Sequence, residues 1–306
     1  MKKPAILTTT ALLCCFLWGS AFPFIKIGYK LLNVSANDTP SQILFAGIRF
    51  FIAGIIVILL GSFLQKKSLI PKHLITARKI AILSVFQTIL QYFFFYVGLA
   101  HTQGSKASII EALNIFFTVI VTTLLFKMEK LTARKVAGCI VGFIGVVIIN
   151  FTSDGFMTSF SLKGEGALIV SIIAYAFSSV YIKKFSENDN PVLLSGWQFI
   201  LGGIILALIG ATGGGNIDLN SAKGIGLIVY LALVSAIAYT LWGVLLKYNN
   251  VSKVSIFGST TPVFGVILST IFLHETTFLS TKCLISLILV CAGIIIVNTD
   301  SFKASR

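Results

Sequence analysis

Gly145-Val146-Val147-Ile148-Ile149-Asn150 closes one apolar run of this chain, and Gly293-Ile294-Ile295-Ile296-Val297-Asn298 closes another. The two lie about 150 residues apart, a period worth testing for an internal duplication. Each is the tail of a stretch long enough to cross a bilayer, which takes roughly 20 apolar residues for about 30 Å of hydrocarbon. Both ends carry the same pattern of glycine, four branched apolar residues and asparagine. Working outward from this pair gives a membrane chain written twice.

The composition agrees. Of 306 residues, 56% are hydrophobic and only 11% charged, with a mean hydropathy of +0.96, whereas soluble chains carry about 25% charged residues. Ten apolar stretches follow one another: Ala5–Gly28, Gln42–Leu64, Ala77–Leu99, Gly104–Phe126, Arg134–Phe151, Gly164–Lys184, Val192–Ala211, Gly224–Leu246, Ser252–Leu273 and Leu279–Asn298. The connections are short, so no loop holds a second, water-exposed domain. Met1-Lys2-Lys3 before an apolar run, with Gly19-Ser20-Ala21 after it, would also suit a signal peptide. That run is long for one, however, and it has a partner later in the chain.

Basic residues set the orientation, because Lys and Arg concentrate in cytoplasmic loops. With the N-terminus inside, seventeen fall on the cytoplasmic side, among them Lys66, Lys67, Lys72, Arg78 and Lys79 in one loop. Only Lys26, Lys30, Lys106, Lys163, Lys223 and Lys282 fall outside, and Arg49 lies within a span. Both termini are therefore expected in the cytoplasm, of a bacterial plasma membrane. The net charge of +14 is scattered over loops, not gathered on one face, so a nucleic-acid partner is not expected. The five cysteines all fall in apolar spans without metal-ligand spacing and read as buried small apolar residues. Neither a metal nor a cofactor is implied.

The duplication runs the length of the chain. Trp18 to Lys26 in span one aligns with Tyr175 to Lys183 in span six. Arg49-Phe50 and Gly54 meet Gln198-Phe199 and Gly203, and Tyr92, Phe95 and Leu99 meet Tyr239, Trp242 and Leu246. Lys106-Ala107-Ser108-Ile109 meets Lys253-Val254-Ser255-Ile256, with Glu129 and Glu275 each closing its span. Because five spans is an odd number, the second copy enters the membrane from the opposite side. The fold class expected is an all-α polytopic membrane protein of ten transmembrane helices in two inverted five-helix repeats, residues 1–151 and 164–300. Inverted repeats are common in transporters, where they relate two access states. Gene growth by duplication alone is the blander reading.

The Trp-Gly-Ser opening at Trp18, the Arg-Phe pair at Arg49, Thr261-Pro262 followed by Glu275, and the two Gly-x-x-x-x-Asn ends together resemble the drug/metabolite transporter superfamily, in its EamA branch. The resemblance runs from Leu12 to Asn298. It implies ten helices around a central cavity, alternating access, and export or exchange of small metabolites such as amino acids or amphipathic drugs. An organophosphate or nucleotide-sugar antiporter is the alternative within the same architecture. The first repeat departs from the pattern. Pro262 gives span nine a reason to break at mid-depth, but the matching Asn114-Ile115 gives span four none.

Two charges lie well inside spans, Arg49 and Glu111, and charges in hydrocarbon are functional candidates by default. Each sits about seven residues from the outer face, or roughly 10 Å at 1.5 Å per residue. They could pair with each other structurally. They could instead face a cavity, Glu111 taking a substrate cation or a proton as coupling ion, and Arg49 a carboxylate or phosphate. Gln87 and Gln91 share a helix face, and Asn114 follows Glu111 by one turn, either as cavity lining or as inter-helix hydrogen bonds. Trp18, Tyr92, Tyr175, Tyr239 and Trp242 lie deep enough to line a site, and four of them form two pairs of repeat mates, Trp18 with Tyr175 and Tyr92 with Tyr239. No catalytic motif, no phosphate-binding glycine loop and no ring of like charges appears, which argues against an enzyme, an ATP-driven pump and a channel.

Overall fold

The protein is described here from a computed structural model covering residues 4–128, 130–150, 160–249, 254, 256–275 and 280–303. Its helices are α1 (Pro4–Leu31), α2 (Thr39–Gln65), α3 (Leu74–Ala100), α4 (Gly104–Leu125), α5 (Ala133–Asn150), α6 (Leu162–Phe185), α7 (Pro191–Thr212), α8 (Ala222–Tyr248), α9 (Phe257–Leu273) and α10 (Thr281–Lys303). Among the described residues there is no strand. All of these except α9 are long and apolar enough to cross a membrane; α9 is apolar but shorter, spanning 257–273. The beginning expected for span nine, with Lys253 and Ser255, lies outside the described residues, as does Glu129.

Local chemistry sets the helix ends. The Asp38 carboxylate accepts from Ser41 N at 3.1 Å, with Pro40 in the first turn of α2. Asn190 caps α7 through Val192 N at 2.9 Å, ahead of Pro191. Such side chains satisfy amides that a first turn leaves unpaired, and proline has no amide to leave. At the far ends, Lys66 after α2 and His274 after α9 adopt left-handed backbone, φ 48° and 54°, which turns the chain out of the helix. Leu59, Phe63, Leu208 and Ile288 remain exposed on α2, α7 and α10, as side chains facing lipid should.

Helix packing follows the duplication. α2 packs on α7, α5 on α10 and α4 on α9, each on its own counterpart. α1 packs on α8 and α9, and α6 packs on α3 and α4; α2 meets α8, and α7 meets α3. Exchanging the first five helices with the last five carries this set of principal contacts onto itself. Glycines permit the closest approaches. A Cβ on Gly138 would lie 2.7 Å from the Gly293 carbonyl oxygen, and one on Gly293 2.6 Å from that of Gly138. Small residues at such crossings let backbones touch where no hydrophobic force between helices exists.

Two sequence expectations change here. α4 is broken as well as α9, although it holds no proline. Leu113 N bonds Ile110 O at 2.9 Å and Ile115 N bonds Ala112 O at 3.4 Å, so the helix tightens to i→i+3 bonding directly after Glu111. The upper half, Gly104–Glu111, packs mainly on α9, and the lower half, Asn114–Ile120, on α6. The tight turn lets one helix serve both neighbours. Its repeat mate is the 3₁₀ stretch Ile256–Ser259 that opens α9. The second change concerns cysteine. Cys15 of α1 and Cys291 of α10 donate their thiols to Phe257 O and Ser259 O, each at 3.2 Å. Two of the five thus serve as weak donors to carbonyls of the broken segment, and the helix interruption ahead of Pro262 explains why those carbonyls need them.

Candidate substrate site

Glu111 ends the upper half of α4, with 9% of its surface exposed. Ser171 of α6 is a polar neighbour of its carboxyl, yet neither Glu111 Oε1 nor Ser171 Oγ completes a hydrogen bond. Tyr175, one turn along α6, lies within electrostatic range of the same carboxyl. Glu111 makes no ion pair with any described residue. A buried carboxyl so placed either holds a proton or awaits a cation, because an uncompensated charge costs several kcal/mol.

Arg49 has other company. Its Nε donates to Leu231 O at 3.2 Å, one Nη to Tyr96 Oη at 2.9 Å and the other to Ser235 Oγ at 2.9 Å, with the guanidinium 4.8 Å from the Phe50 ring centre. The two intramembrane charges therefore do not pair. Arg49 ties α2 to α8 and α3. Its repeat mate Gln198 does the corresponding thing on α7, accepting from Thr88 Oγ1 at 2.5 Å through its side chain and from Ser84 Oγ at 3.3 Å through its backbone. Thr88 and Ser84 occupy the positions in α3 that Ser235 and Leu231 occupy in α8. The guanidinium and the amide are matching clamps.

The aromatic residues do converge. Tyr92 and Tyr239, repeat mates on α3 and α8, meet hydroxyl to hydroxyl at 3.1 Å. Phe50 lies against Tyr92, ring centres 3.9 Å apart, and Phe199 against Tyr239 at 5.0 Å. Trp18 stands edge-on to Tyr239 at 5.7 Å and to Trp242 at 5.0 Å. Trp18, Tyr92, Tyr175, Tyr239, Trp242 and Asn114 are only half-buried. Gln87, in a π-helical stretch of α3, neighbours Tyr239 and leaves its buried Oε1 without a partner. Gln91 is buried with its Oε1 also unpartnered. Sequence reasoning missed Ser171, Tyr96, Ser235 and Thr88, since isolated hydroxyls in an apolar span carry no periodic signal.

The model of the EamA-like transporter family matches residues 6–151 and again 162–299. The chain belongs to this family. The fold is also similar to that of a solved crystal structure, with a TM-score of 0.65 and 18% identity, covering 99% of this chain and all of that one. An uncharacterised transporter of Archaeoglobus fulgidus is 30% identical over 92% of this chain and 94% of its own length. The uncharacterised transporter YvbV of Bacillus subtilis is 28% identical over 98% and 94%. This EamA-like chain is thus an integral membrane transporter and not an enzyme, with Arg49 and Glu111 in the first matched segment and Tyr175, Tyr239 and Trp242 in the second.

Proposed function

We propose that this EamA-like protein is a secondary active exporter or exchanger of small metabolites bearing a protonated amine, such as amino acids or amphipathic amine drugs. Transport proceeds by alternating access around the central tyrosines. The observation that carries the reading is the unpaired Glu111 carboxyl at the tight turn of α4. Around it and the nearby tyrosine pair stand acceptor oxygens and aromatic faces, which suit an ammonium group through hydrogen bonds and cation–π contact. A carboxyl in this setting holds a proton or a substrate cation but not both. That exclusivity couples substrate movement to protons without any nucleotide.

The two halves, 1–151 and 164–300, act as inverted repeats related by a two-fold axis in the membrane plane, a reading supported by the self-matching helix contacts and the meeting of Tyr92 with Tyr239. Both termini lie in the cytoplasm on the basis of the loop charges. An organophosphate antiporter would need a free cation at the centre, and every nitrogen of the Arg49 guanidinium already donates to a neighbouring helix. The test pairs melting temperature with counterflow in liposomes for Glu111→Gln. Wild-type melting with transport lost, or stripped of its pH dependence, is expected, since an amide resembles a protonated carboxyl but cannot bind a cation. Unchanged counterflow and pH profile would end this assignment.

A further inference from the structure

We infer that Glu111, Ser171 and Gln91 form a binding site for one dehydrated monovalent cation of the size of Na⁺, held between α3, α4 and α6. The inference rests on the placement of Glu111 in the transport site and adds an inorganic ion to what that site holds. Three buried oxygens carry it. Glu111 Oε1, Ser171 Oγ and Gln91 Oε1 are closed to solvent, and none has a hydrogen-bond partner among the described residues. The three residues are 9%, 0% and 6% exposed. Buried oxygens rarely go unpaired, and here three do so within one trio of helices.

Helix register brings them together. α4 and α6 run side by side in the same direction, with Lys106 paired to Glu165 at 2.6 Å. About one and a half turns further on, Glu111 stands beside Ser171. α3 runs against α6. A Cβ on Gly98 would lie 2.9 Å from Gly164 O and 2.8 Å from Leu168 Cγ, while nearer the start of α3 Phe86 stacks on Phe177, ring centres 5.7 Å apart. Gln91 precedes Gly98 by two turns of regular helix, so it lies on the same face, toward α6. Two turns beyond Gly164 and Leu168 come Ser171 and Tyr175, which therefore stand level with Gln91. Tyr175 closes the triangle, within electrostatic range of Glu111 and of Tyr92, the residue after Gln91.

The donor set fits this ion. One carboxylate and two neutral oxygens balance a single positive charge. Ca²⁺ takes about six to eight oxygens, and Mg²⁺ keeps waters for which a closed site has no room. Oxygens already shut off from solvent suit the smaller Na⁺ better than K⁺. Phe95, Ile110, Leu113 and Ile172 are buried in the same apolar core, so the carboxylate's pull on the ion is little screened. Glu111 also ends one half of a broken membrane helix, a position where transporters bind coupling ions. The ion and a substrate ammonium need the same carboxylate, so one leaves as the other enters.

The test is melting of the full chain in detergent, without substrate, as NaCl replaces KCl or N-methyl-D-glucamine chloride at constant ionic strength and pH. An ion that binds the folded protein raises the melting temperature by mass action. Saturable stabilisation by Na⁺ and not by the other two cations is expected, whereas a carboxyl that only exchanges protons would show no preference. Ser171→Ala and Gln91→Leu should each weaken the apparent Na⁺ affinity by about tenfold or more, since even groups one step removed from a metal contribute that much. Glu111→Gln should abolish it. Ser286→Ala removes another buried, unpartnered hydroxyl, on α10, and should leave the affinity unchanged. Should one of the three site variants fail to fold, the other two decide by the same criterion. Equal shifts from all three salts, or wild-type Na⁺ affinity in folded Ser171→Ala and Gln91→Leu, overturn the proposal. Counterflow judges the transport reading separately. Lost counterflow in Glu111→Gln with no Na⁺ effect on the wild type keeps that reading and removes the ion site; Na⁺-specific melting with unchanged counterflow does the reverse.

Discussion

Arg49 shows how little a residue's depth says about its work. Hydrogen bonds from its three nitrogens join α2 to α8 and α3, and Gln198 makes the matching link from α7 to α3. Arg49→Met leaves the Tyr96 and Ser235 hydroxyls without their donor and should cost about 1.5–3 kcal/mol. Arg49→Gln copies the residue nature uses at the mate position, so its loss should be about half as large. Melting temperatures of the purified variants check this order. A guanidinium that held substrate would instead raise KM at unchanged melting temperature, and equal losses for Met and Gln would remove the clamp reading.

At the scale of helices, close crossings and end contacts dominate. Gly138→Val forces a methyl group into the α10 backbone and should destabilise by about 1–3 kcal/mol or more. Gly226→Ala, where a Cβ meets nothing within 4 Å, should change stability by no more than about 1 kcal/mol, in the favourable direction. A thermal melt of the pair measures the α5–α10 contact against its control. Near the start of α3, Asp189 accepts from Thr76 Oγ1 at 2.8 Å and pairs with Lys79 at 2.5 Å. Burial pushes this carboxyl up, but the Lys79 and Thr76 hydrogen bonds and the Lys79 charge outweigh it and leave it below the usual carboxylate range. The pair's contribution, at most about 1 kcal/mol at a surface, is thus present above about pH 4 and fades as pH falls through the lowered value. Asp189→Asn should be slightly less stable than wild type at pH 7 and indistinguishable from it once the carboxyl is protonated; a difference that grows on acidification would contradict the sign.

For the whole molecule, the charge count and the repeat make geometric predictions. A cysteine probe at Asp218 should react with an impermeant reagent from outside the cell and one at Lys67 should not, and the reverse pattern would invert the topology. Five-helix halves rotated by two-fold symmetry should superpose with α1 on α6; better agreement of α1 with any other helix would refute the repeat. The self-matching contacts of α2 with α7, α4 with α9 and α5 with α10 lead to that expectation.

The sequence by itself determined the helices, their number and order, the duplication and the expected orientation. Each of these follows from local quantities, namely apolar length, motif spacing and loop charge, which lipid reads one segment at a time. It also singled out Glu111, because a carboxyl inside a span is conspicuous whatever surrounds it. Only the tertiary structure decided which face each residue presents and to whom. Arg49 and Glu111 have equal depth and opposite charge, yet one meets hydroxyls across α3 and α8 and the other meets Ser171 of α6. The break in α4 needed no proline because its two neighbours, α9 and α6, demand different directions of one helix. Glu275, legible as the end of a span, became a cap only when folding brought it to Gly104, a contact between residues 171 positions apart that no local pattern encodes.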